Sequence, residues 1–217
     1  MSMIDHLKRL NNTEHCVQLL AHKKCPMSSQ IYIFRGSGGI PLLHYIENEM
    51  VPRVVISLMN SLLSAVKYIH SKYICHRDIK LENIFVLDGD VPSIQLANFH
   101  CSITFFPEEN TLTGFVGNRA YMAPEIFNKG LYTPAVDFWA CGVVLYTICL
   151  GHFPWIMDLG DEALEQQIVG NEPMWSKLVE FEEKDKGWVG VVDLAHQLMA
   201  WDPKAREQAS NHPWIKN

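Results

Sequence analysis

The chain has 217 residues, 48% of them hydrophobic and 19% charged, with a formal net charge of −6. That balance excludes a disordered chain, allows one sizeable core, and argues against a nucleic-acid or anionic-membrane partner. The N-terminal "MSMIDHLKRL" is charged and lacks the apolar core of a signal peptide, so the six cysteines read as reduced thiols of a cytoplasmic or nuclear protein.

In chain order, residues 3–10 place Ile4, Leu7 and Leu10 at helical spacing. The segments "CVQLLA" (16–21) and "IYIF" (31–34) read as strands, and "RGSGGIP" (35–41) as a hinge. From Pro52 to Tyr73, Val55, Met59, Leu62, Val66, Ile69 and Tyr73 form one apolar stripe of a long helix. "CHRDIKLENIF" (75–85) then packs Arg77, Asp78, Lys80 and Asn83 between apolar runs. Charges are costly to desolvate, so such a cluster points to chemistry. Strands "NIFVL" and "SIQLA" follow, then a polar stretch (101–120) and a run of helices from 134–150 to about 194–200. Residues 138–157 contain no Asp, Glu, Lys or Arg, yet Gly151, His152 and Pro154 break the helix after Leu150. What remains is too short to span a bilayer and reads as a buried core helix. Strands lie mainly in the first half and helices in the second, an α+β chain. His15, Cys16, His22 and Cys25, like His100 beside Cys101, are metal-ligand types, but they lack the paired spacing of structural zinc. Packing roles and no metal site are expected for them.

"HRDIKLEN" resembles the catalytic loop of eukaryotic protein kinases. The resemblance extends in order through "GNRAYMAPE" (117–125), "VDFWACGVVLY" (136–146), "WDPKAR" (201–206) and "HPWI" (212–215). The Lys two residues after Asp78 is similar to the Ser/Thr branch. The resemblance implies a kinase-like fold, with residues 1–34 a small-lobe remnant and 35–217 the helical large lobe. It implies that Asp78 accepts the substrate hydroxyl proton, Lys80 faces the transferred phosphate and Asn83 holds magnesium. It also implies a hydrophobic spine of Leu7, His76 and Phe99 anchored on Asp137, and a buried Glu125–Arg206 ion pair. Arg77 would meet phosphate on Thr111 or Thr113, the carboxylates of Glu108 and Glu109, or backbone.

The departures point the other way. Asn98, Phe99 and His100 stand where the family has Asp-Phe-Gly, so the metal-binding carboxylate is replaced by an amide. No Gly-x-Gly-x-x-Gly occurs, the family's helix glutamate aligns with Met3, and Asn118 stands in place of a hydroxyl residue. A short spacing from Arg206 to His212 suggests a clipped last helix. On these grounds Asp78, Lys80 and Asn83 are expected not to support turnover. The expected protein is not an enzyme but a truncated, inactive kinase homologue, a pseudokinase that binds a protein partner or itself, without ATP or magnesium. Uncovered Ile4, Leu7, Leu10, Ile31 and Ile33 would drive that association. The alternative is an active Ser/Thr kinase using ATP and magnesium, its small lobe supplied by another chain or omitted from this gene product.

Overall fold

The first helix starts on a reciprocal cap. Ser2 Oγ accepts the Asp5 N–H at 3.4 Å, and the Asp5 carboxylate accepts the Ser2 N–H at 3.0 Å, opening α1 (Met3–Arg9). The structure, a computed structural model, describes residues 2–11, 13–24, 31–36, 38–47, 50–87, 89–109, 111–128 and 130–216, with side chains for all of these but 24 and 31–35. After α1, β1 (Gln18–Lys24) pairs antiparallel with β2 (Ile31–Gly36), with an irregular register between Leu19 and Ala21. β1 begins later than the apolar pattern suggested because the preceding residues pair elsewhere. Cys16 bridges Leu96, with the Val17 N–H donating to Leu96 O and the Leu96 N–H to His15 O, each at 2.9 Å.

The middle of the chain forms a second sheet and a long helix. β3 (Ile40–Pro41) leads into the short α2 (Leu42–Tyr45), then α3 (Pro52–Ser71) and β4 (Ile74–Cys75). Pro52 at the first turn suits α3, since its missing N–H would have had no intrahelical partner. Of the expected stripe Val55, Met59, Leu62, Val66 and Ile69 are buried, joined by Leu58, whereas Tyr73 lies beyond the helix end at φ +57° and is exposed. β5 (Ile84–Leu87) and β6 (Ser93–Leu96) form an antiparallel hairpin, and the sheet order is β3-β5-β6. β7 (Ile103–Thr104) returns to pair with β4.

The second half is helical: α4 (Pro124–Phe127), α5 (Val136–Leu150), α6 (Asp161–Gly170), α7 (Trp175–Glu182), α8 (Val191–Leu198) and α9 (Pro203–Ala209). Every residue of α5 from Val136 to Ile148 is buried, and Gly151 closes it in the left-handed region at φ +73°. At 15 residues α5 is shorter than the roughly 20 a bilayer needs. Among the described residues α3 alone is long and apolar enough to cross a membrane, and it packs against α5 and β6. Within the core Trp139 stacks on Trp155, with centroids 6.4 Å apart and planes 5° from parallel. The Arg206 guanidinium lies over the Trp139 ring, 4.9 Å from its centroid. The α+β class holds, with helices dominating the second half. The region 203–209 is a capped helix of seven residues, with Asp202 accepting the Lys204 N–H at 3.0 Å.

The uncovered apolar patch requires correction. Leu7 and Leu10 are each 1% exposed, because α1 packs on the Phe99–Cys101 turn and on β1. Ile4 is half-buried, while the side chains of Ile31 and Ile33 lie outside the described residues. The same packing buries His6 completely. Its Nδ1 lies 2.7 Å from Ser102 Oγ and its Nε2 2.9 Å from Thr104 Oγ1. Burial, helped by nearby Arg9, pushes its pKa down from 6.5 to about 4. As pH falls from 6.5 toward 4, the unfolded chain takes up a proton that the folded one refuses, so stability declines across that window. His6→Gln spans the same hydroxyls without titrating. It is expected to flatten the dependence of the urea midpoint on pH between those values, and parallel curves for the two proteins would contradict this.

Candidate active site

Asp137, at the first turn of α5, organises the loop that follows β4. It is 1% exposed, and its carboxylate accepts the His76 N–H at 2.8 Å, the Arg77 N–H at 2.9 Å and His70 Nε2 at 2.8 Å. Burial works to raise its pKa, but the bonds from His70 and the nearby His76 hold it below the usual carboxylate range. Two N–H groups on one carboxylate explain how Arg77 is kept at φ +64°, a conformation uncommon for its type. His76 is fully buried, which lowers its pKa. Its Nε2 donates to Ala97 O at 2.9 Å while Nδ1 accepts the Asp78 N–H at 3.3 Å. Its ring meets Phe99 at 4.7 Å, and Leu7 is buried on the helix that covers this turn. Of the spine expected from the resemblance, His76 and Phe99 meet ring to ring and His76 is anchored on Asp137.

The loop brings the sequence-predicted trio together. Asp78 is 5% exposed. Its Oδ2 accepts from Asn83 Nδ2 at 2.8 Å and lies 3.7 Å from Lys80 Nζ. Asn83 Nδ2 also donates to Asp78 O at 2.8 Å, locking loop and side chain together. The other carboxylate oxygen accepts the Asn118 N–H at 3.1 Å, while the Asn118 side chain caps the Ala120 N–H at 3.0 Å. The residue that lacks the family hydroxyl thus still reaches Asp78 through its backbone. Gly117 permits this approach, since a Cβ there would sit 2.3 Å from Arg77 O.

Asn98 sits at φ +65°, ψ +60°, a left-handed conformation that asparagine tolerates better than most residues. Its Nδ2 donates to Asn83 Oδ1 at 3.1 Å and its Oδ1 faces His100 Nδ1 at 2.8 Å. The oxygens offered to a hard cation here are those of two neutral amides, Asn83 and Asn98, and the Asp78 carboxylate. That oxygen set fits magnesium in chemical type, with less charge than the family arrangement and with both amide oxygens already engaged, Asn83 Oδ1 by Asn98 Nδ2 and Asn98 Oδ1 by His100.

The Arg77 guanidinium makes its described contacts to neutral groups. Nε donates to Cys101 O at 2.7 Å, and Nη1 to Thr113 O and Tyr132 Oη, each at 2.9 Å. Two backbone carbonyls and the Tyr132 hydroxyl, rather than Glu108 or Glu109, hold the guanidinium. Tyr132 was not visible from sequence as a partner, because it approaches from beyond the polar segment. Glu125 and Arg206 form the expected pair, with Oε1–Nη1 at 2.6 Å and Oε2–Nη2 at 3.0 Å. Of the four separate metal-ligand candidates, Cys16 is fully buried and Cys25 lies outside the described residues.

The protein kinase domain family matches residues 4–215. The chain is 38% identical over 162 residues to a probable myosin light chain kinase of Dictyostelium discoideum, covering 73% of this chain and 32% of that protein. It is 33% identical over 166 residues to a calcium/calmodulin-dependent protein kinase of Emericella nidulans, covering 73% and 38%. With the DNA damage response protein kinase of Saccharomyces cerevisiae the identity is 32% over 186 residues, covering 74% and 34%. The chain spans about a third of the length of these curated relatives. They correct the expectation of a protein that is not an enzyme, since each is named as a protein kinase. That expectation treated Asn98 as a lost metal site, whereas its amide still carries an oxygen and the Asp78–Asn83 pairing remains assembled.

Proposed function

The chain belongs to the protein kinase domain family, and on that premise we propose that it provides the phosphoryl-transfer residues of a Ser/Thr protein kinase. The observation that carries this reading is the Asp78 carboxylate, held from both oxygens by Asn83 and the Asn118 N–H with Lys80 beside it. A surface groove lined by Glu82, Asn118, Ala120, Tyr121 and Phe153 offers a seat for an extended peptide. A substrate Ser or Thr hydroxyl seated there passes its proton to Asp78 as its oxygen bonds phosphorus and the bond to ADP breaks. Lys80 faces the oxygens of the moving phosphoryl group, and Asn118 keeps Asp78 from turning away. The amide oxygens of Asn83 and Asn98 would hold magnesium, which when bound supplies positive charge to offset the phosphates. With one carboxylate fewer at that position, the reaction is slow and demanding of magnesium. The family's phosphate loop and its lysine are not among residues 1–217, so this reading has them contributed from outside this segment.

The test is transfer of labelled phosphate from MgATP to Ser/Thr peptides by the protein immunopurified from its own cells with its associated chains. Transfer is expected, and Asp78→Ala should lower it by about 10²–10⁴-fold. No transfer above the Asp78→Ala level would overturn the reading.

A further inference from the structure

Three unlike donor atoms converge beside the catalytic loop. The Asp78 carboxylate, the His100 imidazole and the Cys101 thiol each offer an atom within 4.8 Å of the other two. Cys101 Sγ lies 3.1 Å from His100 Nε2. Zinc bonds of about 2.0–2.3 Å in a tetrahedron set neighbouring ligand atoms about 3.3–3.8 Å apart, so shifts of about 1 Å suffice to close the trio on one ion. Asp78 is distant in sequence from the other two, so no spacing pattern announces the group.

A second observation concerns the histidine. Asn98 Nδ2 donates to Asn83 Oδ1, which turns Asn98 Oδ1 toward His100 Nδ1 at 2.8 Å. An amide oxygen only accepts, so Nδ1 carries the proton and Nε2 presents its lone pair toward Cys101. Metal-binding histidines are oriented in this way, with the outer ring N–H donated to an oxygen. His100 and Asn98, the two departures from Asp-Phe-Gly, thereby act together.

We propose that Asp78, His100 and Cys101 form a binding site for a borderline-soft divalent cation of the zinc class, with a fourth position open to water. Thiolate and imidazole select such ions, whereas magnesium favours oxygen alone. Binding releases the Cys101 proton to solvent. Lys80, 3.7 Å from the same carboxylate, opposes a second cation there and swings outward when the ion enters. The ion occupies the carboxylate that would accept the substrate proton, so it blocks phosphoryl transfer. That consequence rests on the proposed kinase role, whereas the binding does not.

Cobalt(II) is the probe. Titrated into metal-free protein, it is expected to bind at one ion per chain, with the visible absorption of a tetrahedral centre and a near-ultraviolet thiolate charge-transfer band. Zinc should displace it and millimolar magnesium should not. Cys101→Ser should abolish the charge-transfer band. Asn98→Ala, which removes the acceptor for His100 together with the bond to Asn83, should weaken binding about 10–100-fold, and Asn98→Asp, which lacks the Asn83 bond but keeps an acceptor for His100, should restore it. No band in the unmodified protein, or a band that survives Cys101→Ser, would overturn the site. So would affinity unchanged by both Asn98→Ala and His100→Ala. The spectrum is read without substrate, so failure of the kinase reading would leave the result standing.

Discussion

Glu125→Ala is expected to lower the stability of the fold by about 3–5 kcal/mol, the usual cost of leaving one member of a buried ion pair alone. Arg206 has no exposed surface, and its two-pronged contact with Glu125 is supplemented by Ala200 O at 2.6 Å and Trp201 O at 3.4 Å. Those carbonyls satisfy N–H groups but carry no full negative charge, so removing the carboxylate leaves a desolvated cation on the face of Trp139. Arg206→Met removes the charge and keeps much of the volume, and should cost less. The double variant should recover part of the loss caused by Glu125→Ala alone. Urea unfolding of the four proteins checks this, provided the slopes agree. A loss below about 1 kcal/mol for Glu125→Ala would mean that the carbonyl cage alone holds the guanidinium.

Asn98→Asp is expected to raise phosphoryl transfer at limiting magnesium by about 10²-fold, the scale on which one well-placed electrostatic group acts. The substitution has two effects that reinforce each other. It adds a formal charge where magnesium would bind, and it removes the amide N–H that now occupies Asn83 Oδ1. Both oxygens then face the ion. The carboxylate still accepts from His100 Nδ1, so the loop keeps that contact. The magnesium concentration for half-maximal rate should fall in parallel, and adding Asp78→Ala should abolish the gain. Equal rates and equal magnesium dependence before and after the substitution would show that residue 98 does not hold the ion.

The α+β class, the long helix carrying Val55 to Ile69 and the central helix were legible because their apolar periodicity and run length leave few alternatives. So was the Asp78, Lys80 and Asn83 trio, which sits within six residues and converges through local turns. Contacts across long separations were not legible. Leu7 and Leu10 looked uncovered because nothing in a helix pattern says that a distant turn at Phe99–Cys101 will close over it. Asn98 looked like a simple loss because a letter shows that a charge is gone, but not where the remaining oxygen points. The Arg77 contacts with Thr113 O and Tyr132 depended on the path of the polar segment, for which periodicity offers no guide.

The contacts of Trp139 with Trp155 and Arg206 give the chain an optical handle of its own. Two indoles 6.4 Å apart and nearly parallel couple their electronic transitions, so they contribute a paired signal to near-ultraviolet circular dichroism. The guanidinium on the Trp139 face polarises one of the two rings, which ties its emission energy to the position of Arg206. Loosening of the Glu125 pair is therefore written into the intrinsic fluorescence of the chain. The Glu125–Arg206 lock reports its own state without any attached dye.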